Sequence, residues 1–105
     1  VRAGWFRSVR RAHRRVGRGL QVPVPVLVLA SDRTGPGGRW HPELLTTDSV
    51  LDVRHIRERA PRLGADVTYV EIAGGAHDLA LSPAPAREKY LATALDWLDA
   101  RLPAM

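Results

Sequence analysis

Val24-Pro25-Val26-Leu27-Val28-Leu29-Ala30 is the stretch on which the fold turns. It is an unbroken run of β-branched and aliphatic residues with no polar alternation, the pattern of a strand buried on both faces. Such strands belong to parallel sheets covered by helices, and Pro25 is compatible with the strand only at its start or at an edge. A second run of β-forming residues, Val67-Thr68-Tyr69-Val70-Glu71-Ile72, lies downstream. Between the two, Val53, Ile56, Ala60 and Leu63 recur at helical spacing, with Asp48, Ser49 or Asp52 as candidate caps. Pro61 predicts a distorted last turn, and Gly64 stops the helix. Strand–helix–strand makes a right-handed parallel crossover. Two parallel strands do not bury both faces of a sheet by themselves, so the sheet is expected to be incomplete, with an unpaired edge on the first strand.

Outward from this unit, Trp5, Val9, Ala12, Val16 and Leu20 recur at steps of three and four, with arginines on the other faces and Gly17 and Gly19 at the end. At the other end, Ser82 is a candidate cap for a final helix. Leu91, Ala94, Trp97 or Leu98, and Leu102 supply its apolar face, and Pro103 closes it. The expectation is an α/β chain of two parallel strands and three helices, divided into an arginine-rich helix (1–21) and an α/β segment (22–105).

The 105 residues, 45% of them hydrophobic, suffice for one core. With no cysteine, neither a disulfide framework nor a thiolate metal site is available. Val22 to Ala30 is far shorter than the ~20 residues that span a bilayer, and the basic N-terminus leads into more arginine rather than into an apolar signal segment. A cytoplasmic location is the default expectation. The net charge of +5 is unevenly spread. Residues 1–20 hold seven arginines and no acid, whereas the remainder holds nine basic and eleven acidic residues and is mildly acidic. Val1 suggests a chain that begins inside a longer protein, or a GTG start written as valine.

In an open α/β sheet, functional groups gather on loops beyond the carboxyl ends of the strands. Here those loops are Ser31 to Asp48, long enough to suggest a function, and Ala73-Gly74-Gly75-Ala76-His77-Asp78. A carboxylate on the first and the His77 imidazole on the second would sit at the same end of adjacent strands. That arrangement suits a base oriented by an acid. Asp32, directly after the strand, and Asp48 are the two candidate carboxylates.

Pro25-Val26-Leu27-Val28-Leu29-Ala30-Ser31, Thr47-Asp48-Ser49-Val50-Leu51-Asp52-Val53, Gly74-Gly75-Ala76-His77-Asp78-Leu79 and a last helix ending in Trp97-Leu98 together resemble the C-terminal portion of an α/β-hydrolase. The nearest branch is the lysophospholipase-like and monoacylglycerol-lipase-like group, also described as serine aminopeptidase-like. The resemblance covers residues 22–102, and residues 1–21 are similar to the segment returning from the family's lid. It implies a carboxylic-ester substrate, with His77 as general base and Asp48 as its acid, preferred over Asp32. Asp32–Thr47 then reads as an enlarged loop. The resemblance implies no metal or organic cofactor. The family's nucleophile is a serine in G-x-S-x-G. Ser8, Ser31, Ser49 and Ser82 all lack a glycine two residues before them, so this chain is expected to be inactive alone.

Other features carry plainer readings. Asp78 reads as a loop or capping residue and Asp52 as a helix-start charge. His13, His41 and His55 lack metal-ligand spacing and read as solvent-facing. Trp40 and His41 read as loop anchors before substrate-entrance residues. Gly35-Pro36-Gly37-Gly38 lacks the Lys-Ser/Thr ending of a phosphate loop. The alternative to a hydrolase portion is a non-enzymatic module that binds an acidic partner or nucleic acid through the arginine helix. Nucleic acid is disfavoured because no recognition motif accompanies the charge. A further partner expectation is pairing or self-association through the open strand edge.

Overall fold

The structure is a computed structural model that describes residues 2–103. Val1, which opens the arginine-rich segment, and residues 104–105, which end the α/β segment, lie outside the described residues. In chain order the elements are α1 (Ala3–Arg18), β1 (Val26–Ser31), α2 (Val53–Arg59), β2 (Val67–Ile72) and α3 (Ala84–Arg101). Short 3₁₀ turns stand at Ala60–Leu63 and Leu79–Leu81.

β1 and β2 pair in parallel, from Val26 opposite Val67 to Ser31 opposite Ile72. Among the described residues the sheet has these two strands only, giving a mixed α/β architecture. Pro25 precedes β1, where its missing N–H costs no ladder bond. The ladder begins with Val26 N–H donating to Asp66 O (2.9 Å) and ends with Asp32 N–H donating to Ile72 O (3.2 Å). Alternate residues of a parallel strand point their backbone groups to opposite sides. Those of Val26, Val28 and Ala30 therefore face β2, and those of Leu27, Leu29 and Ser31 face the open edge.

The two faces of the sheet are covered differently. On one, Ile72, Leu79 and Ala86 form a buried cluster against which Leu29, Val70 and Tyr90 pack. Trp97 is tied to the same face by its indole N–H, which donates to Thr68 Oγ1 at 3.3 Å, while the Arg101 guanidinium lies 4.3 Å over its ring. On the other face α2 and the 3₁₀ turn after it bury Val53 and Ala60 and half-bury Ile56 and Leu63, as their spacing requires. Arg57 there holds Glu71 at 2.7 Å, and the Tyr69 hydroxyl also donates to Glu71 (2.8 Å). At Pro61 the α-helix tightens into the 3₁₀ turn, because proline removes one donor of the helical ladder.

Three expectations need correction. The inward row of α3 is buried Ala86 with half-buried Tyr90, Ala94 and Trp97; Ala94 and Trp97 were expected there, but Leu91, Leu98 and Leu102 are exposed together with Leu95. The helix carries two apolar rows, and the one holding Trp97 can both fill the sheet face and satisfy its indole N–H. Ser82 does not cap α3; the cap position is Pro83, which makes no side-chain bond. Finally, α1 buries none of its residues. Val9 and Val16 are half-covered, but Trp5 is 57% exposed, stacked edge-on against an equally bare Phe6. The helix touches the body through its C-terminal end, where Arg62 donates to Gly17 O (2.9 Å) and Gly19 turns the chain at φ 100°. Among the described residues no helix is long and apolar enough to cross a membrane.

A candidate histidine–aspartate site at the carboxyl end of the sheet

His77 stands on a short loop shaped by what lies beneath it. Gly74 adopts φ +73°, a conformation most side chains avoid. A Cβ on Gly75 would come within 2.6 Å of Leu79 Cδ2 and 3.1 Å of Ile72 O, so any larger residue would force the buried Leu79 side chain to move. The next amide, Ala76 N–H, donates to Ser82 Oγ at 2.9 Å, and Ser82 is 1% exposed. The hydroxyl predicted to cap α3 thus secures the histidine loop. Asp78 caps the following turn by accepting from Ala80 N–H (3.2 Å).

Asp48 is held from the other strand. Its backbone is clipped to the extended segment after β1, with Asp48 N–H donating to Arg33 O (2.8 Å) and Gly35 N–H donating to Asp48 O (2.9 Å). Its side chain does not cap α2. Asp52 has that role, accepting from Arg54 N–H, and its own side-chain and backbone bonds to Arg54 hold its carboxyl down at about 2. Asp48 Oδ1 accepts instead from Val50 N–H (2.9 Å) and Leu51 N–H (2.8 Å), making a tight turn ahead of the helix.

His77 Nδ1 lies 3.1 Å from that same Oδ1. A carboxylate only accepts, so Nδ1 carries the proton and the neutral ring keeps its lone pair on Nε2. The Asp48 side chain is 4% exposed and that of His77 44%. The arrangement is a buried, fully oriented carboxylate behind an imidazole that remains open to a reactant, which is what a general base requires. Among the described residues, no hydrogen bond joins Asp32 to His77. Asp32 Oδ1 accepts from Gly74 N–H (3.1 Å) and lies 4.0 Å from Arg33 Nε, so it steadies the turn leading to the histidine.

Beside His77 is an open depression lined by Leu27, Leu29, Asp78, Leu79 and Tyr90. A separate apolar cavity of about 320 Å³ lies on the opposite face between α1 and α2, with Val16, Val28 and Ile56 in its walls and His13, His55 and Arg59 around it.

His41 departs from its sequence reading. It is 8% exposed, not solvent-facing: Glu43 N–H donates to its Nδ1 (3.2 Å), and its Nε2 lies 2.9 Å from Ser49 Oγ. It anchors its loop, as one reading held, but Trp40 beside it is 79% exposed and does not. A histidine followed two residues later by a turn was the available sequence signal; its hydroxyl partner eight residues on was not readable without the fold. Compared with protein-family models, curated proteins and solved structures, the chain matches none.

Proposed function

We propose that this chain is the C-terminal portion of an α/β-hydrolase-type serine hydrolase and supplies its base and acid. The observation that carries the reading is the His77–Asp48 contact at 3.1 Å, with the acid buried and the imidazole open. The unpaired edge of β1 supports it, since a larger parallel sheet would continue there and bring a further strand-end loop beside His77. In this reading a serine carried by that additional sheet attacks the carbonyl carbon of a carboxylic ester, such as a lysophospholipid or acylglycerol. His77 Nε2 takes the serine proton, and Asp48 stabilises the imidazolium through Nδ1–H. The same nitrogen then delivers the proton to the leaving alkoxide, and water repeats the cycle on the acyl-enzyme.

No serine of the chain itself can take that role. Ser31 is 1% exposed and donates to Arg33 O (3.1 Å), and Ser82 is 1% exposed and accepts from Ala76 N–H. Ser49 points to His41 and Ser8 bonds Gly4 O on α1. The test is hydrolysis of short- and long-chain p-nitrophenyl esters by the chain alone and by its form extended upstream in frame. The expected result is turnover by the extended form only, lowered on the order of 10⁶-fold by His77→Ala. Turnover insensitive to His77→Ala would reject the reading.

A second reading rests on α1, whose exposed residues include seven arginines counted with Arg2. In this reading the helix binds an acidic partner and the body is a non-enzymatic module. Its binding would weaken steeply between 50 and 200 mM salt, on the order of tenfold or more. Binding unaffected by salt, or none to an acidic polymer, would remove it.

A further inference from the structure

The acid loop contains a circuit of hydrogen bonds in which every proton can be assigned. Glu43 N–H donates to His41 Nδ1 (3.2 Å), which leaves the proton of the neutral ring on Nε2. Nε2–H then donates to Ser49 Oγ (2.9 Å), and the Ser49 hydroxyl donates to Thr47 Oγ1 (3.3 Å). Thr47 Oγ1 in turn donates to Glu43 O at 2.8 Å, so the circuit closes on the residue where it began. The direction of the bonds makes His41 a donor to Ser49 and not its base, so the pair is not a second nucleophile site.

Its place in the chain gives the circuit its meaning. Thr47 and Ser49 are the two neighbours of Asp48, and Thr47 is 2% exposed. The backbone of Asp48 is clipped to Arg33 and Gly35 on one side. On the other, the side chains flanking it are tied to His41. A Cβ on Gly35 would collide with Thr47 Oγ1 and stand 3.1 Å from Ser49 Oγ, so the circuit packs directly on that clip. A long connection ordinarily leaves its far end free to wander, because fixing each residue costs conformational entropy. The enlarged loop after β1 carries its own anchor.

We propose that His41 is a positioning residue: acting through Ser49 and Thr47, it holds Asp48 in place against His77. The proposal rests on His77 and Asp48 being a base and its acid, and it assigns the enlarged loop the task of fixing the acid.

The test reads the His77 tautomer in the full chain by long-range ¹H–¹⁵N NMR, which needs no turnover. Wild type should show Nδ1–H at His77, and Asp48→Ala should abolish that preference. Ser49→Ala removes one oxygen and should lower the ratio of Nδ1–H to Nε2–H about tenfold, the scale of one charge-assisted bond. Ser49→Thr restores the hydroxyl and should restore the ratio, and His41→Phe should behave as Ser49→Ala. The β1 and β2 resonances should stay unchanged in all of these, which separates positioning from general loosening. Wild-type tautomer in folded Ser49→Ala and His41→Phe would overturn the proposal; if His41→Phe does not fold, the two Ser49 variants decide. Loss of ester turnover in the extended enzyme with the tautomer intact would count against the hydrolase reading instead, so the two failures are distinguishable.

Discussion

Replacing Asp48 by alanine removes three bonds at one atom. Oδ1 accepts from Val50 N–H, Leu51 N–H and His77 Nδ1–H at 2.9, 2.8 and 3.1 Å. A hydrogen bond to a charged acceptor contributes about 1.5–3 kcal/mol net. Val50 and Leu51 are 68% and 46% exposed, so water can replace part of what their amides lose, and His77 can turn to solvent. Three bonds at the low end would give about 4.5 kcal/mol, and replacement by water brings the expected total down to about 2–3 kcal/mol. At ~4–8 °C per kcal/mol for a domain of this size, thermal unfolding should fall by roughly 10–20 °C. The substitution Asp48→Asn keeps an acceptor oxygen in place for all three donors and should cost under about 1 kcal/mol. Thermal and urea unfolding followed by circular dichroism would measure both. An Asp48→Ala variant within about 0.5 kcal/mol of wild type would refute the reasoning, because Oδ1 could not then be organising the turn.

Other perturbations reach different parts of the molecule. Gly75→Ala places a methyl 2.6 Å from Leu79 Cδ2 and should destabilise by about 1–3 kcal/mol in urea titration; a neutral result would mean the histidine loop is looser than its contacts imply. Burial, and then the bond to Glu71, push the Tyr69 hydroxyl up to about 12 from 10.0. That contribution is intact below pH 10 and is lost as pH rises through about 12, so Tyr69→Phe should flatten the alkaline fall in stability; an unchanged alkaline slope would contradict it. In amide exchange, Val28 and Ala30, which face β2, should be protected, and Leu27 and Leu29, which face the open edge, should exchange on the order of 100-fold faster. Equal protection at all four would mean that another strand covers the edge.

The sheet and α2 were legible because their signals are local: two apolar runs, proline at the strand entrance, and a helical row broken at Pro61. Parallel topology then put the two loops at one end, which brings a carboxylate of the first loop to His77 but does not by itself choose Asp48 over Asp32. What escaped the sequence depends on partners distant in the chain. Ser82 stands where a helix cap belongs, but its hydroxyl is taken by an amide six residues earlier. The local turn at Glu43 hints that His41 anchors its loop, but its burial depends on Ser49, eight residues on, being brought to its Nε2. In α3, two apolar rows compete, and only the presence of Thr68 beneath the indole selects the one with Trp97. Periodicity places the apolar stripe of α1 on one face, but it says nothing about whether a neighbour is there to cover Trp5.

Fluorophosphonate labelling, with the modified residue mapped by mass spectrometry, tests the central claim most directly. The account predicts that the 105-residue chain takes no label. Its upstream-extended form should be labelled on one serine outside these residues, and His77→Ala should slow that labelling by at least about 100-fold. Label on Ser8, Ser31, Ser49 or Ser82, or labelling of the extended form at an unchanged rate without His77, would contradict it.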